Sequence, residues 1–172
     1  MQLLVLYAIL ELNIDRYTGP NCEEIDKMAS CTFFGHRKVY SNIENELMNS
    51  IREMVIKNNV TVFYVGNHGE FDAAVLRCLK RIKTEFPNIS YYVVLAYLPT
   101  ENSKISVEDQ GRTLFPEGIE NALPKFAIIK RNMWMIEKCD YVITFVKNEQ
   151  GMSARFKETA EQKGKNVVNI VK

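Results

Sequence analysis

The sequence predicts an α/β protein, a three-layer sandwich around a mainly parallel five-stranded sheet. Three observations carry this. From Ser30 onward, short apolar runs alternate with segments whose apolar residues recur every three to four positions. No internal repeat interrupts that order. Residues 91–98 are almost continuously apolar, as suits a strand covered on both faces.

Taken in order, Cys31, Thr32, Phe33 and Phe34 read as a short buried strand, followed by a turn at Gly35, His36 and Arg37. Ile43, Leu47, Ile51, Met54 and Val55 then mark one face of a helix, with Ser41 and Glu44 at capping-box spacing. Residues 61–65 form the second strand, and Gly66, Asn67, His68 and Gly69 its exit loop. Phe71, Val75, Cys78, Leu79 and Ile82 mark a second helix, which stops before Pro87. The apolar run at 91–98 is the third strand, ended by Pro99. Residues 99–120 read as a long polar loop, with five acids against two bases. A helix follows, with Phe126, Ile129, Met133 and Ile136 on its apolar face. Residues 141–146 are the fourth strand, Gly151, Met152 and Ser153 open a last helix closed by Gly164, and 166–171 are the fifth strand. Such alternation calls for right-handed crossovers and helices on both faces, a Rossmann-like arrangement.

The chain has 172 residues, which suits one domain. Residues 1–28 differ in character: an apolar start, then Gly19-Pro20-Asn21 and the acids Glu23, Glu24 and Asp26. They read as an N-terminal extension to a domain at 29–172. The apolar run at 3–10 is too short to span a bilayer, and it lacks the flanks of a signal peptide. A cytoplasmic protein with no membrane partner is expected. Four cysteines and two histidines show no metal-ligand spacing, so neither a metal nor a cofactor is expected; three of the cysteines read as reduced core thiols. The net charge of +1 argues against coating a polyanion. It is uneven, however: acids predominate at 99–120 and bases at 147–157.

In sheets of this kind ligands bind outside the carboxyl ends of the strands. Gly35-His36-Arg37, Gly66-Asn67-His68-Gly69-Glu70-Phe71-Asp72 and Gln150-Gly151-Met152-Ser153 all follow strands, so both histidines fall at one edge. Glycines there allow backbone N–H groups to approach an anion at a helix N-terminus. Arg37 reads either as an exposed turn residue or as a phosphate clamp. Asp72 and Glu70 read either as first-turn acids favoured by the helix dipole or as acceptors for sugar hydroxyls. Arg131 and Asn132 read either as the solvated side of a helix or as a pair turned into the cleft. Trp134 and Met135 read as core. The Walker A, GxGxxG and GxSxG patterns are absent.

Together, residues 31–37 (CTFFGHR), 64–72 (YVGNHGEFD), 92–99 (YVVLAYLP), 131–136 (RNMWMI) and 140–142 (DYV) resemble the YpsA-like branch of the SLOG superfamily. The resemblance spans about residues 30–171 and leaves 1–28 outside. It implies a Rossmannoid domain for nucleotides or nucleotide-derived ligands. The superfamily includes phosphoribohydrolases, single-strand DNA-binding recombination mediators and sensor domains of conflict systems. By position, it implies a pocket lined by Gly35, His36, Arg37, Gly66, Gly69, Asp72, Arg131, Asn132 and Gly151. The phosphoribohydrolase motif PGGxGTxxE is not matched: the region reads Lys147-Asn148-Glu149-Gln150-Gly151-Met152-Ser153-Ala154.

Three functions are therefore open. The first expectation is a binding domain, or sensor, for a small nucleotide or nucleotide-derived ligand such as an ADP-ribose-like molecule. Its site would comprise Gly35, His36, Arg37, Gly66, Asn67, His68, Gly69, Asp72, Arg131, Asn132, Gly151 and Ser153. The second is an N-glycosidic bond hydrolase or transferase, with Asp72 or Glu70 as nucleophile or base and His36 or His68 as acid. The third is a single-stranded nucleic-acid or protein interaction module, with a homo-oligomer also open.

Overall fold

A computed structural model describes residues 28–39, 42–98, 109 and 111–171. Residues 1–27, Ser41 and most of the 99–110 stretch lie outside it, so the N-terminal extension, Cys22 and the capping box are not described.

Among the described residues, six strands, all parallel, form one sheet. β1 (Ser30–Gly35), β2 (Val62–Val65), β3 (Ser90–Val94), β4 (Thr113–Leu114), β5 (Tyr141–Phe145) and β6 (Asn166–Asn169) stand in the order β4-β3-β2-β1-β5-β6. The chain works outward from β1 to β4, then returns to the other side of β1 for β5 and β6. The switch point therefore lies between β1 and β5.

The strand missed in the sequence is β4. It has only two residues, both half-buried, so no alternation could reveal it. It forms because Val93 N–H donates to Arg112 O at 2.8 Å and Leu95 N–H to Leu114 O at 2.7 Å. The segment read as loop thus supplies an edge strand and a 3₁₀ turn (Ile119–Asn121). Asp109 is buried, ion-paired to Lys80 at 2.8 Å and accepting from the Tyr91 hydroxyl at 3.2 Å. This acid from the 99–120 stretch is a structural anchor.

Among the described residues, four helices cover the sheet: α1 (Glu44–Asn58), α2 (Glu70–Glu85), α3 (Pro124–Lys138) and α4 (Met152–Gln162). Alternation along each strand sends successive side chains to opposite faces. Phe33, Phe63, Val65, Tyr91 and Val93 pack with α1 and α2. Phe34, Tyr64, Tyr92, Val94 and Val142 pack with Met135 and Ile136 of α3 and Phe156 and Ala160 of α4. At the start of α1, Glu44 N–H donates to Asn42 Oδ1 at 3.2 Å, so a neighbouring asparagine caps it. Cys31, Cys78 and Cys139 are free and buried; burial pushes their thiols up, Cys78 to about 11 and Cys139 to about 12. Such thiols stay protonated at neutral pH and carry no nucleophilic chemistry.

The apolar face assigned to α3 is rotated from the observed one. Phe126 and Ile129 are 46% and 36% exposed, while Ala127, Arg131, Asn132, Met135 and Ile136 are buried. Hydrophobic periodicity misplaced the face because two polar residues occupy the inward side. No described helix is long and apolar enough to cross a membrane.

Candidate functional site at the carboxyl edge

A cavity of about 260 Å³ opens at the switch point. Phe34 and Gly35 from the end of β1, and Arg37 just beyond, form one side. His68 and Asp72 come from the exit of β2 and the first turn of α2. Ile128, Arg131 and Asn132 come from the middle of α3, and Met152, Ser153 and Phe156 from the start of α4.

Arg131 governs the interior. It is 2% exposed, on an unbroken helix, and its Nη1 donates to Val94 O at 2.8 Å. Burial pulls its pKa down; the nearby Asp72 charge opposes that shift. Asp72 is partly exposed as a residue, but its carboxyl turns inward, and Oδ2 accepts from His68 N–H at 2.9 Å. Burial raises the Asp72 pKa, while Arg131 and the His68 N–H pull it back. The two side chains close around Gly66. A Cβ there would collide with the Asp72 carboxylate and come within 2.6 Å of Arg131 Nη1. Glycine is required at this position by close approach.

His68 stacks edge-on against Tyr97, with ring centroids 5.7 Å apart. Burial lowers its pKa first, and the charges of Arg131 and Arg37 lower it further. It is neutral at pH 7 and not poised as a general acid there. Among the described residues, three buried polar side-chain atoms have no hydrogen-bond partner: His68 Nδ1, Arg131 Nε and Asn132 Oδ1. All three belong to residues lining this cavity.

Seven of the expected site residues meet here: Gly35, Arg37, His68, Asp72, Arg131, Asn132 and Ser153. Arg131 and Asn132 turn inward without the helix break that the cleft reading invoked. Ser153 Oγ donates to Gly35 O at 2.6 Å and ties α4 to β1. Other expected residues stand apart. His36 lines a separate hollow with Lys38, Phe145, Lys147 and Asn148, and its Nε2 accepts from Lys147 N–H at 3.0 Å. Glu70 reaches outward, its Oε2 accepting from Val39 N–H at 2.8 Å, so it braces the loop after β1. Gly69 (φ 117°) begins α2 behind Arg37, Asn67 is exposed, and Gly151 precedes α4. Neither Glu70 nor His36 shares the main cavity with Asp72; of the acid–base pairs considered for glycosidic cleavage, only Asp72 and His68 meet there. Sequence reasoning missed the apolar walls Phe34, Ile128, Met152 and Phe156. Phe34, Ile128 and Phe156 read locally as ordinary core and Met152 as part of a strand exit, and only the crossing of three elements makes them a wall.

The class defined by this topology is the doubly wound, three-layer α/β domain with its cleft at the switch point. Within that class the chain is similar in fold to two solved structures. One is DNA processing protein A (DprA) from Streptococcus pneumoniae: TM-score 0.59, 17% identity, covering 85% of this chain and 51% of that one. The other is DNA processing protein A from Helicobacter pylori, described by its single-stranded DNA binding mode: TM-score 0.55, 19% identity, covering 91% of this chain and 75% of that one. The chain thus spans about half the length of the Streptococcus protein. At these identities the likeness shows the fold alone. No family model matches the chain, and no curated protein matches it.

This corrects the first functional expectation. A small nucleotide or nucleotide-derived ligand was expected, yet the Helicobacter protein that shares the fold is described as binding single-stranded DNA. An arginine and glycines at strand exits suit a free phosphate and a strand's phosphate equally well, so those residues do not separate the two ligands.

Proposed function

We propose that this chain is a single-stranded nucleic-acid-binding module whose strand lies across the carboxyl edge of the sheet. The observation that supports it best is the pairing of exposed cations with apolar and aromatic surface at one rim. Arg37, Lys38 and Lys147 are exposed beside the two hollows, while Tyr97 (42% exposed) packs edge-on against His68 and donates to Pro124 O at the start of α3, which also carries exposed Phe126. Lys125 lies over the Phe126 ring at 5.0 Å. Cations that track a backbone, interleaved with rings on which bases stack, are what sequence-tolerant strand binding needs. The near-neutral total charge is compatible with this, because three exposed cations, Arg37, Lys38 and Lys147, lie close together at that edge.

Residues 29–172 are proposed as the binding domain and 1–28 as an extension to it. We retain affiliation with the YpsA-like branch of the SLOG superfamily as part of the same proposal. It is supported by the CTFFGHR and YVGNHGEFD strings, whose loops adjoin at the cleft.

The test is fluorescence anisotropy with a labelled oligothymidylate, titrated with salt. Neutralising three phosphates would give a slope of log K against log salt of about −2, at about −0.7 per contact on single strands. Arg37→Ala and Lys147→Ala should each flatten it by about 0.7. Absence of binding at low salt, or slopes indifferent to both substitutions, would overturn the proposal.

A further inference from the structure

The cavity has a composition that a phosphate would not select. Its interior holds the Asp72 carboxyl facing Arg131, so a carboxylate opposes any anion that enters deeply. Four walls are apolar: Phe34, Ile128, Met152 and Phe156. The volume of about 260 Å³ falls below the roughly 300–1,000 Å³ of pockets for drug-sized ligands. It suits one flat ring system rather than a whole dinucleotide.

The three unpartnered polar atoms belong to residues that line the cavity. Buried polar groups in native proteins are nearly always paired, by protein, by water or by a ligand. Arg131 Nε is a donor and Asn132 Oδ1 an acceptor, on residues 2% and 8% exposed. Neutral His68 Nδ1 can serve as either, according to its tautomer. Apolar walls with a few fixed donors and acceptors are the means by which proteins hold a base taken out of its stack.

We propose that this cavity takes a single unstacked nucleobase of the bound strand, held between its apolar walls, with Arg131 and Asn132 meeting its hydrogen-bonding edge. This rests on the strand-binding reading and deepens it. The sugar and phosphates stay at the mouth, near exposed Arg37 and the first turn of α4.

The experiment compares two probes of equal length at fixed salt on the full chain: oligothymidylate, and a wholly abasic deoxyribose-phosphate strand. Wild type should bind the abasic strand about tenfold more weakly, the low end of the effect of a two-point base contact, with an unchanged salt slope. Asn132→Leu should lower oligothymidylate affinity toward that of the abasic strand and leave abasic binding unaltered. Ile128→Trp, which fills the cavity from a partly exposed helix position, should do the same. The second variant covers the case in which the first does not fold. Equal binding of both probes by wild type would overturn base insertion and leave strand binding standing; bridging waters would then satisfy the three atoms. A base preference that survives in either folded variant would likewise overturn it, placing the bases on Tyr97 and Phe126 instead. Failure of both probes to bind at low salt would overturn the strand-binding reading, and base insertion with it.

Discussion

The two ends of the same sheet are built to different standards. At the amino end the polar groups are closed off. Ser30 N–H and Oγ both donate to Asp140 Oδ2, at 2.9 and 3.3 Å, and Oγ also lies 3.0 Å from Lys138 O. Thr61 N–H donates to Ala29 O, and Asn166 N–H to Asp140 O, both at 3.0 Å. At the carboxyl end a guanidinium is buried, a carboxyl is held against it around a glycine, and three polar atoms are left without partners. One end of the sheet serves cohesion. The other gives up hydrogen bonds that folding alone would favour, as binding sites do.

The sharpest way to break this contrast is Gly66→Val. The branched side chain would drive into the Asp72 carboxyl and Arg131, and overpacking of this kind costs about 3 kcal/mol or more. Chemical denaturation should show that loss, with strand binding lost as well. Next comes Asp140→Ala, which strips the buried Ser30 N–H of its partner and should cost about 1–3 kcal/mol. Its strand affinity, measured by anisotropy, should match wild type. A fall in affinity would mean that the two ends are coupled.

A smaller effect is expected from Lys147→Ala at the rim. Removing one exposed phosphate contact should weaken binding several-fold while stability stays within about 0.5 kcal/mol, because surface substitutions rarely do more. The smallest concerns pH. The His68 pKa is lowered in the fold, so the unfolded chain binds more protons between the two values. That contribution to stability is full above the ordinary histidine pKa of about 6.5 and is lost as pH falls toward the folded value. Melting temperatures between pH 7.5 and 5.5 should fall less steeply in His68→Gln. Asp72 acts in the opposite sense in a lower window. Its raised pKa favours the fold below the ordinary carboxylate value, and that benefit disappears as pH rises through the folded one.

The sequence made the layers legible because strands and helices carry different periods, and five of the six strands were visible in it. It concealed β4, whose two residues are too few for a pattern. It also misphased α3, since Arg131 and Asn132 occupy buried positions that hydrophobicity assigns to Phe126 and Ile129. Both failures share a cause. β4 is specified by its partner β3, and the buried arginine by Val94 O and Asp72, and a single-segment pattern records neither. The strand-exit loops were found because glycine, arginine and histidine cluster there. How the cluster divides into two hollows, with His36 in one and Arg131 in the other, depends on packing distant in sequence.

The central claim is about place: a single strand lies at the carboxyl edge. Backbone amide chemical shifts recorded during titration with oligothymidylate test it most directly. Perturbations concentrated at residues 35–38, 66–72, 128–132 and 147–156, with 28–30 and 138–140 unmoved, are the predicted result. Shifts centred on the amino end of the sheet, or none at a saturating concentration, would contradict it.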